Sequence, residues 1–172
     1  MKIDKDEFGK HLILDVVVFD EAKPLLVSRE YCGQYIDMVI EMCGMQPVIP
    51  TIAMQFPFSN EHVGLVKKLV NEGVKSKTLQ EHREYVKSKE KNDTGVSAFS
   101  IWNTSHCSAH SCPECNYISI DLYSCTNFDE KPVVQFTEQY FMAKENKITV
   151  IQRGVGMPQE VSQFERTLTK ED

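Results

Sequence analysis

Between His11 and Phe19 the chain reads HLILDVVVF, almost continuously apolar and rich in β-branched residues. This pattern predicts a strand covered on both faces or lying at a sheet centre. From Cys32 the period changes: Cys32, Tyr35, Ile36, Val39, Ile40 and Cys43 recur along one face of an α-helix, and Gly44 follows as a stop. Residues 46–58 are apolar but carry Pro47, Pro50 and Pro57. Proline cannot donate to a sheet ladder, so a strand here is short, bent or at an edge. Gly95–Asn103 and Tyr117–Cys125 read as two further strands separated by a polar turn rich in cysteine and histidine. In the second, Ile118, Ile120 and Leu122 alternate with Ser119, Asp121 and Tyr123, sending one set to a core and the other to a wetter surface or a site. Pro132 opens a helix striped by Val133, Phe136, Tyr140 and Phe141, and Lys147–Gln152 reads as the last strand.

Two stretches depart from this patterning. Residues 59–93 crowd together Lys67, Lys68, Lys75, Lys77, Arg83, Lys87, Lys89 and Lys91, with a weak helical stripe at Val63, Val66 and Val70 that Gly73 interrupts. They read as a basic helical insertion whose charges form a solvated face. Residues 153–172 read as a polar, loosely held tail. Strand, helix, strand, insertion, hairpin, helix, strand makes one α+β domain over 1–172, with helices on one face of a mostly antiparallel sheet in βαββαβ order.

Composition narrows the function classes. The 172 residues suffice for one core, and 41% hydrophobic with 26% charged residues is the balance of a soluble globular protein. Lys+Arg 19 against Asp+Glu 25 gives a net charge of −6, which excludes broad attraction to nucleic acid or anionic lipid and favours small-molecule chemistry. No apolar run reaches the roughly 20 residues of a membrane span, and the polar start Met1–Glu7 lacks the core of a secretory signal, so a cytoplasmic setting is expected. Six cysteines there would be thiols, metal ligands or catalytic groups, and Cys107, Cys112, Cys115 and Cys125 fall close together.

Residues 95–125, GVSAFSIWNTSHCSAHSCPECNYISIDLYSC, combine a Ser-His pair, a His-x-x-Pro-Glu run and a strand ending in Cys. In that combination, and in Phe8–Asp15 as an opening strand, the chain resembles the S-adenosylmethionine decarboxylases, specifically the small prokaryotic type that builds its own pyruvoyl group. Losing CO₂ from an amino acid requires an electron sink at the α-carbon, and without pyridoxal phosphate a protein can make one from serine. The hydroxyl attacks the preceding carbonyl, the ester eliminates, and the dehydroalanine hydrolyses to a pyruvoyl cap whose ketone forms a Schiff base with substrate. The resemblance implies cleavage between Thr104 and Ser105, with His110 as base for elimination, Ser97 as a hydrogen-bonding partner during processing, and Cys125 as the acid that reprotonates the substrate carbon. It further implies that Glu114 accepts hydrogen bonds from ribose hydroxyls, and that the product is the aminopropyl donor for spermidine synthesis.

Taken singly these residues are bland. Ser105 reads as a turn residue, Cys125 as a small buried hydrophobe, His110 as a structural histidine and Glu114 as a solvated carboxylate. Three positions leave the family's pattern: Thr104 stands where glutamate is usual, Cys112 and Cys115 replace aromatics around Pro-Glu, and the insertion displaces the adenine-stacking aromatic, leaving Phe56 or Phe58 as candidates. Competing readings are a decarboxylase of a basic amino acid such as arginine or ornithine, and an uncleaved, inactive homologue acting as regulatory partner. A third is a metal centre, because Cys107-x₄-Cys112-x₂-Cys115 has plant-type [2Fe–2S] spacing, with Cys125 as fourth thiolate and His106 and His110 as zinc ligands. The fourth plant-type ligand normally lies farther along, and the loop lacks glycines, so no metal is expected. Ser97 and Ser105, eight residues apart on what reads as one extended strand, would be about 26 Å apart. The resemblance implies a homodimer in which Ser105 and Cys125 of one protomer meet the partner's Ser97 and His110, giving two shared sites.

Overall fold

The computed structural model describes residues 9–55, 95–154 and 160–169. Its sheet is antiparallel throughout, built from β1 (Lys10–Val18), β2 (Ile52–Gln55), β3 (Val96–Trp102), β4 (Ser105–Cys112), β5 (Tyr117–Ser124), β6 (Ala143–Gln152) and β7 (Val161–Thr167), in the order β2-β3-β4-β5-β1-β6-β7. Two helices, α1 (Arg29–Met42) and α2 (Glu130–Tyr140), cover one face. The α+β expectation holds. No helix among the described residues is long and apolar enough to cross a membrane. The basic insertion expected at 59–93, with Phe56 and Phe58, lies outside the described residues.

β1 lies between β5 and β6, as its apolar run predicts, but only one of its faces is fully covered. Leu12, Leu14, Val16 and Val18 are buried under the helices, while His11, Ile13, Asp15 and Val17 lie half-buried on the open face. The Ser28 hydroxyl accepts the Tyr31 N–H at the start of α1, and Gly44 follows its end at φ 65°. α2 starts two residues before the expected Pro132, because Asp129 caps it by accepting from the Lys131 N–H. The helices meet through aromatic rings: Tyr31 stacks on Tyr140 at 4.2 Å, and the buried Tyr35 hydroxyl pairs with Thr137 Oγ1 at 2.7 Å.

Two sequence expectations need correction. Residues 105–112, read as a turn, form β4. Its core-facing side chains, Ser105, Cys107 and Ala109, are small, and its other face carries His106, Ser108 and His110, so the strand has no hydropathic signature although its period is two. Residues 161–167, assigned to a loose tail, form β7, an edge strand whose residues are all exposed. An element with neither face buried leaves no apolar pattern to read.

Gly95 and Gly33 give a contrast that tests the packing. A Cβ on Gly95 would run into the backbone carbonyl oxygen of Ser111, where β3 and β4 meet, so Gly95→Ala should cost about 1–3 kcal/mol in urea unfolding. A Cβ on Gly33 in α1 meets only Ala53 Cβ at 3.6 Å, so Gly33→Ala should be neutral or stabilise by up to about 1 kcal/mol.

Candidate active site

The β3–β4 hairpin sorts the candidate residues into two groups. Near its open end Ser97 pairs with His110 across the strands, and Ser97 Oγ lies 2.9 Å from His110 Nδ1. The alternation of β4 puts His110 on the face away from α1 and α2, where it is exposed. β4 then runs into a turn of 3-10 helix, Pro113–Cys115, that carries Glu114, also exposed.

At the hairpin tip Trp102 pairs with Ser105 across the two-residue turn Asn103-Thr104, with Asn103 at φ 38°. Such short turns need positive φ, which asparagine tolerates. Ser105 is buried and its hydroxyl donates to Ser124 Oγ at 3.2 Å, while Ser124 Oγ accepts the Thr126 N–H at 3.1 Å. The Thr104 hydroxyl touches the Cys125 thiol. Residues 104 and 105 therefore sit against a nucleophilic sulfur and a buried hydroxyl at the very point of chain reversal. Lys10 braces the segment after Cys125: its Nζ, nearly buried, donates to the Phe128 carbonyl at 2.7 Å and to Glu130 Oε2 at 2.8 Å.

Within one chain the two groups do not meet. Ser97 and Ser105 lie on two strands of a hairpin and not on one extended strand, which corrects the sequence expectation. The separation persists, because four residue pairs lie between the Ser97–His110 dyad and the Trp102–Ser105 pair, about 17 Å along the ladder. The cysteines do not gather round a metal either. Cys107 is buried on the helix side with its thiol pushed far up by burial, His106 and His110 lie on the opposite face, and no three His, Cys, Asp or Glu side chains converge to hold a metal among the described residues.

The sequence reading missed Ser124 and Lys10, although strand parity exposes both: each polar side chain occupies a core-facing position among Leu, Ile and Val. It also gave His11 and His106 no part in the decarboxylase reading. On the open face His11 Nε2 bonds Asp121 Oδ1 at 2.7 Å, His106 packs on Tyr123, and the Arg153 guanidinium lies 4.7 Å over that same ring. Burial, with the charges of His11 and Arg153, holds His106 below its usual value against the opposing pull of Asp121.

Comparison with known proteins converges on one family. A sequence model described as S-adenosylmethionine decarboxylase matches residues 60–154, more than half of the chain. The S-adenosylmethionine decarboxylase proenzymes of Thermococcus gammatolerans and Thermococcus kodakarensis are each 36% identical over 63 residues, or 36% of this chain and 44% of theirs. The match thus spans less than half the length of these curated relatives. The adenosylmethionine decarboxylase from Aquifex aeolicus shares the fold, with a TM-score of 0.57 over 90% of this chain and 97% of that one, at 13% identity.

The Lys10 brace sets a pH-dependent expectation. Burial raises the Glu130 carboxyl, but the hydrogen bond from Lys10, a backbone hydrogen bond at Glu130 and the charges of Lys10 and Lys131 together outweigh it and hold the group below its usual 4.5. A carboxyl depressed by folding stabilises above its unfolded value and loses that contribution as pH falls through the folded value. The urea midpoint of Glu130→Gln should therefore lie below that of wild type by a constant margin at pH values above the ordinary carboxylate range, and the margin should close as pH falls through the lowered value of Glu130.

Proposed function

The chain belongs to the S-adenosylmethionine decarboxylase family, and from that membership we propose that it cuts itself between Thr104 and Ser105 and then decarboxylates S-adenosylmethionine to the aminopropyl donor of spermidine synthesis. The observation that carries the reading is the hairpin tip, where the Thr104–Ser105 peptide bond stands at the turn with Cys125 against Thr104. The hydrogen bond to Ser124 engages the Ser105 hydroxyl, the group that must attack the Thr104 carbonyl carbon. Attack converts the amide to an ester, elimination frees the Thr104 carboxylate, and hydrolysis of the remaining dehydroalanine releases ammonia. The pyruvoyl ketone left at position 105 supplies the electron sink for loss of CO₂. Cys125 stands beside that position as proton donor, and Glu114 takes the ribose hydroxyls as acceptor.

The expected base for the elimination, His110, lies at the other end of the ladder from the tip. We therefore place it in a second copy. In a twofold dimer one protomer's tip meets the partner's Ser97–His110 dyad, and symmetry makes the contact twice.

Freshly purified protein should resolve into two pieces, roughly three fifths and two fifths of 19.7 kDa, the smaller blocked at its N-terminus. Ser105→Ala should remain a single band, and a wild type that never splits would sink the enzyme reading. Activity should survive chelators and be lost on borohydride reduction in the presence of S-adenosylmethionine. Faster turnover of arginine or ornithine would keep the reaction and change the substrate, an outcome to which Cys112 and Cys115 in place of aromatics lend weight.

Sharing of the site has its own test. Ser97→Ala and Cys125→Ala, each nearly dead alone, should regain about a quarter of wild-type activity when co-expressed, since random pairing makes half the dimers mixed and each mixed dimer holds one intact site. Activity no higher than the average of the two variants would show that each chain builds its own site.

A further inference from the structure

Cys112, Pro113, Glu114 and Cys115 form a C-x-x-C sequence whose two cysteines the proposed reaction leaves unused. Their backbone is a closed turn. Cys112 ends β4, Pro113–Cys115 form the 3-10 turn, the Asn116 N–H donates to the Pro113 carbonyl at 3.2 Å, and Asn116 at φ 51° closes it. Residues i and i+3 of such a turn have Cα atoms less than about 7 Å apart, and a disulfide spans about 4.4–6.8 Å. Both side chains can be reached, Cys112 being half-buried and Cys115 exposed. Three other thiols are withdrawn by burial, which pushes Cys43 up to about 11, Cys32 up to about 12 and Cys107 higher still. The turn is also next to the dyad: Cys112 lies two residues beyond His110, on the same side of β4.

We infer that Cys112 and Cys115 are a reversible redox modification site, whose disulfide tightens the turn around Glu114 and weakens substrate binding. The first half stands on the turn geometry alone, and the second rests on the decarboxylase reading. The oxidant is a small-molecule disulfide such as oxidised glutathione. The Cys115 thiolate attacks it, forming a mixed disulfide and expelling one thiolate. The Cys112 thiolate then displaces the second, so two protein thiols are oxidised to one disulfide while one disulfide is reduced to two thiols. A dithiol reductant reverses the exchange. Because Glu114 lies inside the ring that the bond closes, drawing the two sulfurs together shifts the backbone that carries its carboxylate.

The test begins with intact purified protein held in oxidised or reduced glutathione, alkylated and weighed. Oxidation should remove two hydrogens, located in the peptide containing residues 112–115, and dithiothreitol should restore them. Cys112→Ser and Cys115→Ser should each abolish the change. A persistent glutathione adduct on Cys115, or a bridge from either residue to Cys125, would overturn the pairing. CO₂ release from S-adenosylmethionine should then show a KM several-fold higher in the oxidised wild type with kcat little changed, reversible on reduction and absent from both serine variants. A bridge that forms with no change in KM overturns the regulatory half alone. A bridge that forms in a protein releasing no CO₂ in either state overturns the decarboxylase reading together with that half, and leaves the modification site standing.

Discussion

The register in which β4 lies between β3 and β5 fixes every chemical feature of the molecule. Side chains alternate across a strand, so a slip of one residue would send His110 under the helices and bring Ala109 to the open face, ending the pairing with Ser97. Both ends of the register are pinned. At the tip a two-residue turn leaves no slack between Trp102 and Ser105. At the open end the Val96 N–H donates to Ser111 Oγ at 2.7 Å, and that hydroxyl donates to the Leu26 carbonyl at 2.6 Å, tying the ladder to the segment before α1. Gly95 belongs to the same constraint, for the backbones approach too closely there for a side chain.

The sequence disclosed what hydrophobicity encodes. α1 was legible because Cys32, Tyr35, Ile36, Val39 and Ile40 are both apolar and buried, and β5 because Ile118, Ile120 and Leu122 face the core. β4 stayed hidden for a physical reason. It lies beneath α1 where Trp102 and Tyr35 fill the layer, so its inward positions hold small residues that hydropathy does not register. β7 was hidden because all of its residues are exposed and its side-chain contacts are polar: Gln163 donates to Thr149 Oγ1 on β6, and Arg166 pairs with Glu138 on α2, so no apolar alternation marks it. The site was legible in a different way. Ser97, Thr104, Ser105, His110, Glu114 and Cys125 were found by spacing and resemblance, yet spacing along the chain could not reveal that they fall into two groups at opposite ends of one hairpin. That division depends on the turn at Asn103-Thr104, which had been read as part of a longer strand.

The open face of the sheet is unusual in being both polar and half-buried. His11 and Asp121 pair there, Tyr117 donates to Asp15, and His106, Tyr123 and Arg153 pack as rings and a guanidinium. These contacts satisfy polar groups across β1, β4 and β5. His106 is held toward its neutral form, which suits a ring packed against Tyr123 and beside the cation of Arg153. The catalytic dyad of the proposed reaction lies on this same face, so its surroundings are set by hydrogen bonding more than by hydrophobic cover.

Position also explains how such a chain would survive being cut. The Thr104–Ser105 bond lies in a turn, and breaking it removes no rung of the β3–β4 ladder, whose pairs run from Ser97–His110 to Trp102–Ser105. The two pieces would be interleaved and not merely adjacent. The first would carry β1, β2, β3 and α1, and the second β4, β5, α2, β6 and β7; the sheet order places β1 of the first between β5 and β6 of the second. Separating them would expose both edges of β1 and its buried Leu12, Leu14, Val16 and Val18, and would break the contacts of Tyr31 and Tyr35 with α2. Hydrophobic burial and ladder hydrogen bonds therefore do after the cut what the peptide bond did before it. A break inside β4 would divide a strand that is paired on both sides, so the turn is compatible with backbone cleavage where the strand that follows it is not.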